Sequence, residues 1–250
     1  MGERILEAMT PKKIFSIQLP GVEIPVTDVV IVSWIIMAVI IILALLFTSR
    51  LKLVPDKRQA AVEITVEGLY NMVKNQTGHH YAMVAPYIGT ILIFLVISNV
   101  VSIFNILPDW EYLHRLTGWK LLDHIPTLRI LPPTRNVNVT AAMGIMSILA
   151  VIIYSVRAKG VIGWIKNFKK PIGLMIPFNI LDYIFRPVSL CFRLFGNILG
   201  GVIIMELIYI VLPVAIPAAL SLYFDLFDGL LQAYVFAILT AMYIGEAIES

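Results

Sequence analysis

Six polar side chains in the last third of an otherwise apolar chain are the residues that could do chemistry. They are Arg193, Asn197 and Glu206 in one long apolar stretch, and Asp225, Asp228 and Gln232 in the next. Ionisable groups are costly within membrane-like sequence, and those that occur there mark ion pathways by default. This set therefore predicts ion translocation rather than covalent catalysis.

Arg193 is the most demanding member of the set, because a guanidinium stays charged in proteins and costs several kcal/mol to place in hydrocarbon. It stands far from both ends of its predicted helix, so its side chain is not expected to reach the membrane surface. Asn197 follows one turn later and shares the same side of the helix. A structural ion pair between Arg193 and a carboxylate of the same chain remains the alternative.

The three carboxylates fall toward one end of the two predicted helices. Glu206 lies about 220° round the helix from Arg193 and therefore on a different side. Asp225 and Asp228 share one stripe with Gln232, because their spacing is i, i+3 and i+7. We expect the three carboxylates to meet on the outer side of two adjacent helices. The alternative is that the two aspartates only cap a helix at the membrane interface.

Two further groups have a structural interpretation. Gly196 and Gly200 form a G-x-x-x-G pair, with Gly201 beside them, and this pattern predicts close helix packing. His79 and His80 are adjacent and cannot share one side of a helix, so no metal site is expected there.

The composition places these residues in a membrane protein. The chain has 250 residues, of which 59% are hydrophobic and 14% charged, whereas about a quarter are charged in soluble domains. The net charge of +3 gives no reason to expect nucleic-acid binding. The single cysteine, Cys191, excludes an intramolecular disulfide and a multi-cysteine metal site. The sequence also lacks a phosphate-binding loop, a nucleophile triad and metal-ligand spacing, so we expect neither a cofactor nor catalysis by this chain alone.

The hydrophobic pattern predicts an all-α polytopic membrane protein forming a single domain, 1–250. It has about five membrane-embedded helices, the last two long and oblique, and one amphipathic surface helix. No signal-peptide pattern is present at the N-terminus. The predicted segments are an outer tail (1–26), span 1 (27–49), the surface helix (56–78), span 2 (83–107), an outer loop (108–136), span 3 (137–157), a basic cytoplasmic loop (158–175) and two oblique helices (177–212 and 217–247).

The distribution of Lys and Arg predicts the orientation. Basic residues follow span 1 and span 3, and short basic loops favour the cytoplasmic side. This places the N-terminus outside and the C-terminus in the cytoplasm. The last two helices are longer than the hydrocarbon layer of about 30 Å, so they must tilt or bend. Pro187 is the candidate for a bend.

Five motifs together resemble subunit a of the rotary F-type ATP synthase. They are RPVSLCFRLFGN at 186–197, LLQAYVFAILT at 230–240, PTRNVNVT at 133–140, YIGTILIFLVISN at 87–99 and YIGE at 243–246. The resemblance covers nearly all of the chain after residue 25. The RLFGN and LQA motifs carry its specificity, because apolar runs alone occur in many membrane proteins.

The resemblance implies an ion-translocating stator subunit of the F0 sector, written CF(0), in the plasma membrane of a bacterium. Two offset half-channels would carry H+ or Na+ to and from the carboxylates of a rotating c-subunit ring. Arg193, Asn197 and Gln232 match the family's motif residues, and Arg193 would promote ion release and block leakage. The implied partners are the c-ring, the b subunits of the peripheral stalk, the rest of the ATP synthase and the lipid bilayer, with no nucleic acid.

The sequence departs from the family pattern on the outer side. Val202 and Asp225 stand where many members have a glutamate and a histidine, and Asn136 stands where an aspartate is common. Glu206 lies one turn beyond Val202 on the same side of the helix. We therefore expect the outer acidic relay to be displaced outward in this chain.

Two other function classes remain open at this stage. A secondary transporter could use Arg193 and the intramembrane carboxylates, but such proteins often contain internal repeats and paired broken helices, and neither is evident. A non-catalytic membrane scaffold could use Arg193 in a structural ion pair. Solute uptake by the purified chain without partners would favour the transporter, and association with a ring of small two-helix subunits would distinguish the stator from a scaffold.

Overall fold

The computed structural model describes residues 13–19, 22–49, 51–101, 132–167, 176–211, 220, 223 and 227–249. In this part of the chain a β-hairpin precedes a series of α-helices. The strands are β1 (Lys13–Leu19) and β2 (Val22–Thr27), and the helices are α1 (Asp28–Thr48), α2 (Lys57–Thr77), α3 (Tyr81–Val100), α4 (Val137–Asn167), α5 (Ile176–Val211) and α6 (Gly229–Glu249).

The helices confirm the predicted fold class, an all-α polytopic membrane protein. Four helical segments in the described ranges are long and apolar enough to cross a membrane, namely Asp28–Thr48, Lys57–Val100, Val137–Ile165 and Gly229–Glu249. A shorter apolar stretch, Val188–Gly201, lies within α5. Because α5 has 36 residues, it is about 54 Å long at 1.5 Å per residue.

The hairpin was not predicted, since the sequence analysis assigned only a tail to this region. The strands pair antiparallel from Leu19 and Val22 outward, and the Pro20–Gly21 dipeptide between them is a turn signal. The Lys13 ammonium donates a hydrogen bond of 2.6 Å to the Glu23 carboxylate. This bond holds the pKa of Glu23 below its usual value.

Helix α2 is amphipathic, as its spacing predicted. Val73 and Thr77 are buried, while the charged residues Glu63, Glu67 and Lys74 are exposed. The helix ends at Gly78, whose φ of 54° favours glycine. A short 3-10 turn, Gly78–His80, then leads into α3. Whether α2 lies on the membrane surface stays a prediction.

The chain forms two compact units. The first contains Met1–Ile36, Leu95–Val137 and Phe195–Leu231, and the second contains Met37–Phe94, Asn138–Leu194 and Gln232–Ser250. The second unit holds the main apolar core, formed by buried side chains of α2, α3, α4 and α6. Its members are Val73, Val84, Ala85, Ile88, Ala150, Val151, Ala237, Ala241, Ile244, Ala247 and Ile248.

Small side chains let α6 pack closely in this unit. Ala233, Ala237, Ala241 and Gly245 recur every fourth residue and are all buried, the pattern that brings helix backbones together in membranes. A Cβ atom at Gly245 would overlap the carbonyl of Gln76 at the end of α2. The backbones of α2 and α6 therefore touch at this point.

Buried hydroxyl groups join α4 to α6. The Ser147 and Thr240 hydroxyls lie 3.1 Å apart, and the Ser155 hydroxyl donates a hydrogen bond of 3.0 Å to the carbonyl of Ala247. Because the contacts advance by similar numbers of residues on both helices, α4 and α6 run in the same direction. The predicted topology requires this arrangement, although the membrane side of each end stays a prediction.

Some predicted boundaries differ from the observed ones. Residues 158–167, assigned to the basic loop, continue α4 as far as Asn167 after a bend at Gly160, which has φ 75° and ψ 165°. Lysine and arginine are good helix formers, so a basic composition does not prevent a helix. Regular α6 begins at Gly229, inside the predicted range 217–247. The greater part of the outer loop 108–136 lies outside the described residues.

Candidate functional site

One side of α5 exposes a strip of large apolar side chains, and Arg193 lies along its edge. The exposed apolar residues are Leu181, Phe185, Val188, Phe192, Ile203, Ile204 and Leu207. Leu190 and Leu194, on another side of the helix, are buried. Arg193 is exposed as well. The helix thus presents a guanidinium on a surface that is otherwise suited to lipid or to an apolar partner.

The glycines next to Arg193 face open space. A Cβ atom added at Gly196 or Gly200 would meet no atom of the described residues within 4 Å. Among the described residues, no other helix packs against these two positions, whereas Gly201 beside them is buried. Instead, the two glycines leave the exposed side of α5 flat one and two turns beyond Arg193.

Two arginines on α5 have different surroundings. The guanidinium of Arg186 forms an ion pair of 2.9 Å with the carboxylate of Glu246 on α6. It also lies 4.9 Å from the ring centroid of Tyr243, within the range of a cation–π contact. For Arg193, by contrast, no hydrogen bond or ion pair is formed among the residues that the structure describes.

Gln232 and Asp228 lie at the start of α6. Gln232 is only 4% exposed and faces the packed side of that helix. Asp228 immediately precedes α6 and is partly exposed. The two residues are four positions apart and lie on neighbouring turns. The Asp228 carboxyl group therefore comes one turn before the buried amide of Gln232.

A buried polar cluster fixes the beginning of α6 in the first unit. The Asn99 amide donates a hydrogen bond of 2.8 Å to the carbonyl of Gly229, and the Thr134 hydroxyl donates one of 3.1 Å to the Asn99 amide oxygen. A Cβ at Gly229 would lie 3.0 Å from Asn99, which explains the glycine. Asp228 is therefore attached directly to an anchored helix end.

The remaining predicted site residues are only partly placed. Asn197 and Glu206 belong to α5, but their side chains lie outside the described part of the structure. Asp225 lies outside the described residues altogether. The expected meeting of Glu206, Asp225 and Asp228 therefore stays a prediction.

The contacts of Arg186 and of Asn99 were not predicted from the sequence. Arg186 lies seven residues before Arg193, nearly on the same side of α5, and Glu246 is the acidic residue of the YIGE motif. Both occurred in motifs that were already noted, but no spacing rule pairs residues on two separate helices. Asn99 and Thr134 likewise belonged to two noted motifs, and only the fold brings them together.

Most of the chain is similar in sequence to known subunits a of ATP synthases. The family model of the ATP synthase A chain matches residues 30–245. The protein named "ATP synthase subunit a, sodium ion specific" of Propionigenium modestum is 35% identical over 224 residues, which cover 90% of this chain and 75% of that protein. The protein named "ATP synthase subunit a, chloroplastic" of Oedogonium cardiacum is 34% identical over 223 residues, covering 89% of this chain and 82% of that protein.

Proposed function

This chain belongs to the ATP synthase A chain family, and from that membership we propose that it provides two offset half-channels for ions moving to and from the carboxylates of the rotor. The chain performs no chemistry on nucleotides itself. Ion flow along it turns the rotor, and ATP synthesis takes place elsewhere in the complex.

The position of Arg193 is the observation that carries this proposal. Its guanidinium lies at the edge of an exposed apolar strip on α5, beside two glycines that leave the surface flat. A rotor helix with one ionisable carboxylate could pass close to such a surface. A scaffold has no need of an exposed cation at this place, because exposing a charge in hydrocarbon is costly.

Elementary electrostatics gives Arg193 two tasks. A cation near an arriving carboxylate favours its ionised form, so the bound ion is released. A permanent positive charge also repels cations that would otherwise cross directly from one half-channel to the other. Asn197 and Gln232 supply neutral polar groups near the arginine in this proposal, and Glu206, Asp225 and Asp228 line the outer half-channel.

The transported ion is H+ or Na+ in this proposal, and the rotor subunit determines which, because it holds the binding carboxylate. The protein's partners are the c-ring, the b subunits of the peripheral stalk and the bilayer of a bacterial plasma membrane. The N-terminus lies outside and the C-terminus lies in the cytoplasm. No resident cofactor takes part.

The test is Arg193→Ala in the assembled enzyme, studied in inverted membrane vesicles. We expect ATP-driven ion pumping to be lost while the chain still co-purifies with the c-ring. Arg58→Ala is the matched control, since Arg58 is an exposed arginine near the start of α2, and it should pump normally. Normal coupled pumping by Arg193→Ala would contradict the proposal, and solute uptake by the purified chain without partners would favour the transporter alternative.

A further inference from the structure

The ion pair between Arg186 and Glu246 lies on the helix that carries Arg193. Arg186 and Arg193 are seven residues apart, which corresponds to about 10 Å along the axis and a rotation of only about 20°. Glu246 and Tyr243 both belong to α6 and both contact Arg186. Helix α6 therefore contacts α5 at Arg186, and Arg193 lies two turns further along α5 on nearly the same side of that helix.

The rotation of α5 about its own axis decides whether Arg193 is exposed. Leu190 lies about 60° and Leu194 about 100° from Arg193 round the helix, and both leucines are at most 1% exposed. Phe192, about 100° away in the opposite sense, is 70% exposed. A rotation of about 60° would thus move Arg193 to the position that Leu190 now occupies.

Hydrophobicity alone cannot fix this rotation in a membrane. In water, burying leucines and exposing an arginine would set the orientation of the helix. Within a bilayer the exposed side is also surrounded by apolar groups, so there is little hydrophobic difference between burying Leu190 and burying Phe192. Shape packing and directional polar contacts must therefore set the rotation of α5 together.

A strong contact of this kind joins α5 to α6 among the described residues of the second unit. The Arg186–Glu246 pair joins two charged groups at 2.9 Å, and the Tyr243 ring covers the guanidinium. A second contact, between the Cys191 thiol and the Thr140 hydroxyl at 3.8 Å, is weaker because thiols are poor donors. The charged pair is the contact best able to resist a turning force on α5.

We infer that Arg186, Glu246 and Tyr243 form a clamp that sets the rotation of α5 and so keeps Arg193 presented to the rotor. The clamp residues are positioning residues, acting through Arg193. This inference rests on the proposed function, because it assigns to Arg193 the role given above. It adds a fixed interhelical contact as a condition for that role.

Ion pumping per assembled complex tests the clamp. The variants are Arg186→Gln, Glu246→Gln, the double variant, and the charge-exchanged variant R186E/E246R, all in inverted membrane vesicles. Each single variant should lower pumping by about tenfold, the double variant should be no worse than either single one, and the exchanged pair should recover activity. Glu249→Gln, the same change one turn further along α6, should leave pumping unchanged.

The outcomes separate the clamp from the proposed function. If the single variants reduce only the amount of assembled complex, or if their effects add and the exchange restores nothing, the clamp is wrong. Normal pumping by both single variants overturns it as well. Arg193→Ala is measured in the same vesicles. If that variant pumps normally, the proposed function fails. If it does not pump, the proposed function stands, whatever the result for the clamp variants.

Discussion

Arg186 and Arg193 lie two turns apart on α5, and their guanidinium groups have opposite surroundings. Arg186 is paired with Glu246 and covered by Tyr243, whereas Arg193 is exposed at the edge of an apolar strip. A charge that only stabilised the bundle would be expected to resemble Arg186, because charges within membrane-spanning segments are normally paired. The contrast separates an arginine with a partner on another helix from one that is exposed without an ion pair among the described residues.

The contact between α2 and α6 predicts the effect of a small substitution. In Gly245→Ala the new methyl group would overlap the carbonyl of Gln76, so the two helices must move apart. We expect a loss of about 1–3 kcal/mol in the free energy of unfolding, seen as a lower melting temperature of the purified complex in detergent.

Gly68→Ala is the matched control for that measurement. Gly68 is an exposed residue of α2, and a Cβ there would meet no atom within 4 Å. Alanine is better than glycine inside a helix by about 1 kcal/mol, so this variant should be as stable as the parent or slightly more so. Equal melting temperatures for the two alanine variants would show that α2 and α6 do not touch as described.

Such contacts also show which features the sequence could predict. The apolar runs and amphipathic spacing gave the fold class and the ends of α1 and α2 to within about one residue, because these depend on local hydrophobicity and helical period. The motif around Arg193 gave the candidate arginine. Pairs such as Asn99 and Thr134, or Arg186 and Glu246, depend on which helices become neighbours, and no local pattern determines that.

The interpretation of Gly196 and Gly200 illustrates the same limit. A G-x-x-x-G spacing predicts close approach of another helix, but it does not identify whether that helix belongs to the same chain. In the structure both glycines face open space. Among the described residues of this chain no helix covers these two positions, so the spacing alone does not say which helix would approach them.

The cluster at the start of α6 predicts a second stability effect. Asn99→Ala would remove the donor to the Gly229 carbonyl and the acceptor for Thr134. A buried group left without its partner costs about 1–3 kcal/mol, so the thermal stability of the complex should fall. Because Asp228 is next to the anchored glycine, the ion pumping rate should fall too.

Ser98→Ala provides the comparison. Ser98 is fully buried, and its hydroxyl has no hydrogen-bond partner in the described part of the chain. Replacing such a group by a methyl group is expected to be neutral or stabilising. Ser98→Ala and Asn99→Ala could also lower the thermal stability equally. That result would show that packing volume around these residues, and not the hydrogen bonds of Asn99, accounts for the loss.

The flat surface beside Arg193 predicts an effect on transport without one on folding. In Gly196→Leu the new side chain would enter open space within this chain, so the amount of folded protein should not change. If the rotor passes over this surface, pumping should fall roughly tenfold or more, because a displacement of about 1 Å can cost about a hundredfold in rate. Gly68→Leu, equally open but on α2, should pump normally; equal rates for the two variants would place the rotor elsewhere.

The outer carboxylates predict a change in the pH dependence of transport. Glu206→Gln and Asp225→Asn each remove a titratable group while keeping the size of the side chain, so a relay that used them would slow and its rate would respond to pH differently. Glu63→Gln, which changes an exposed glutamate of α2, should leave the pH profile of ATP-driven pumping unaltered. A relay through these carboxylates predicts a double variant that is slower and has a shifted pH profile, and a double variant with the parent's rates at every pH would exclude it.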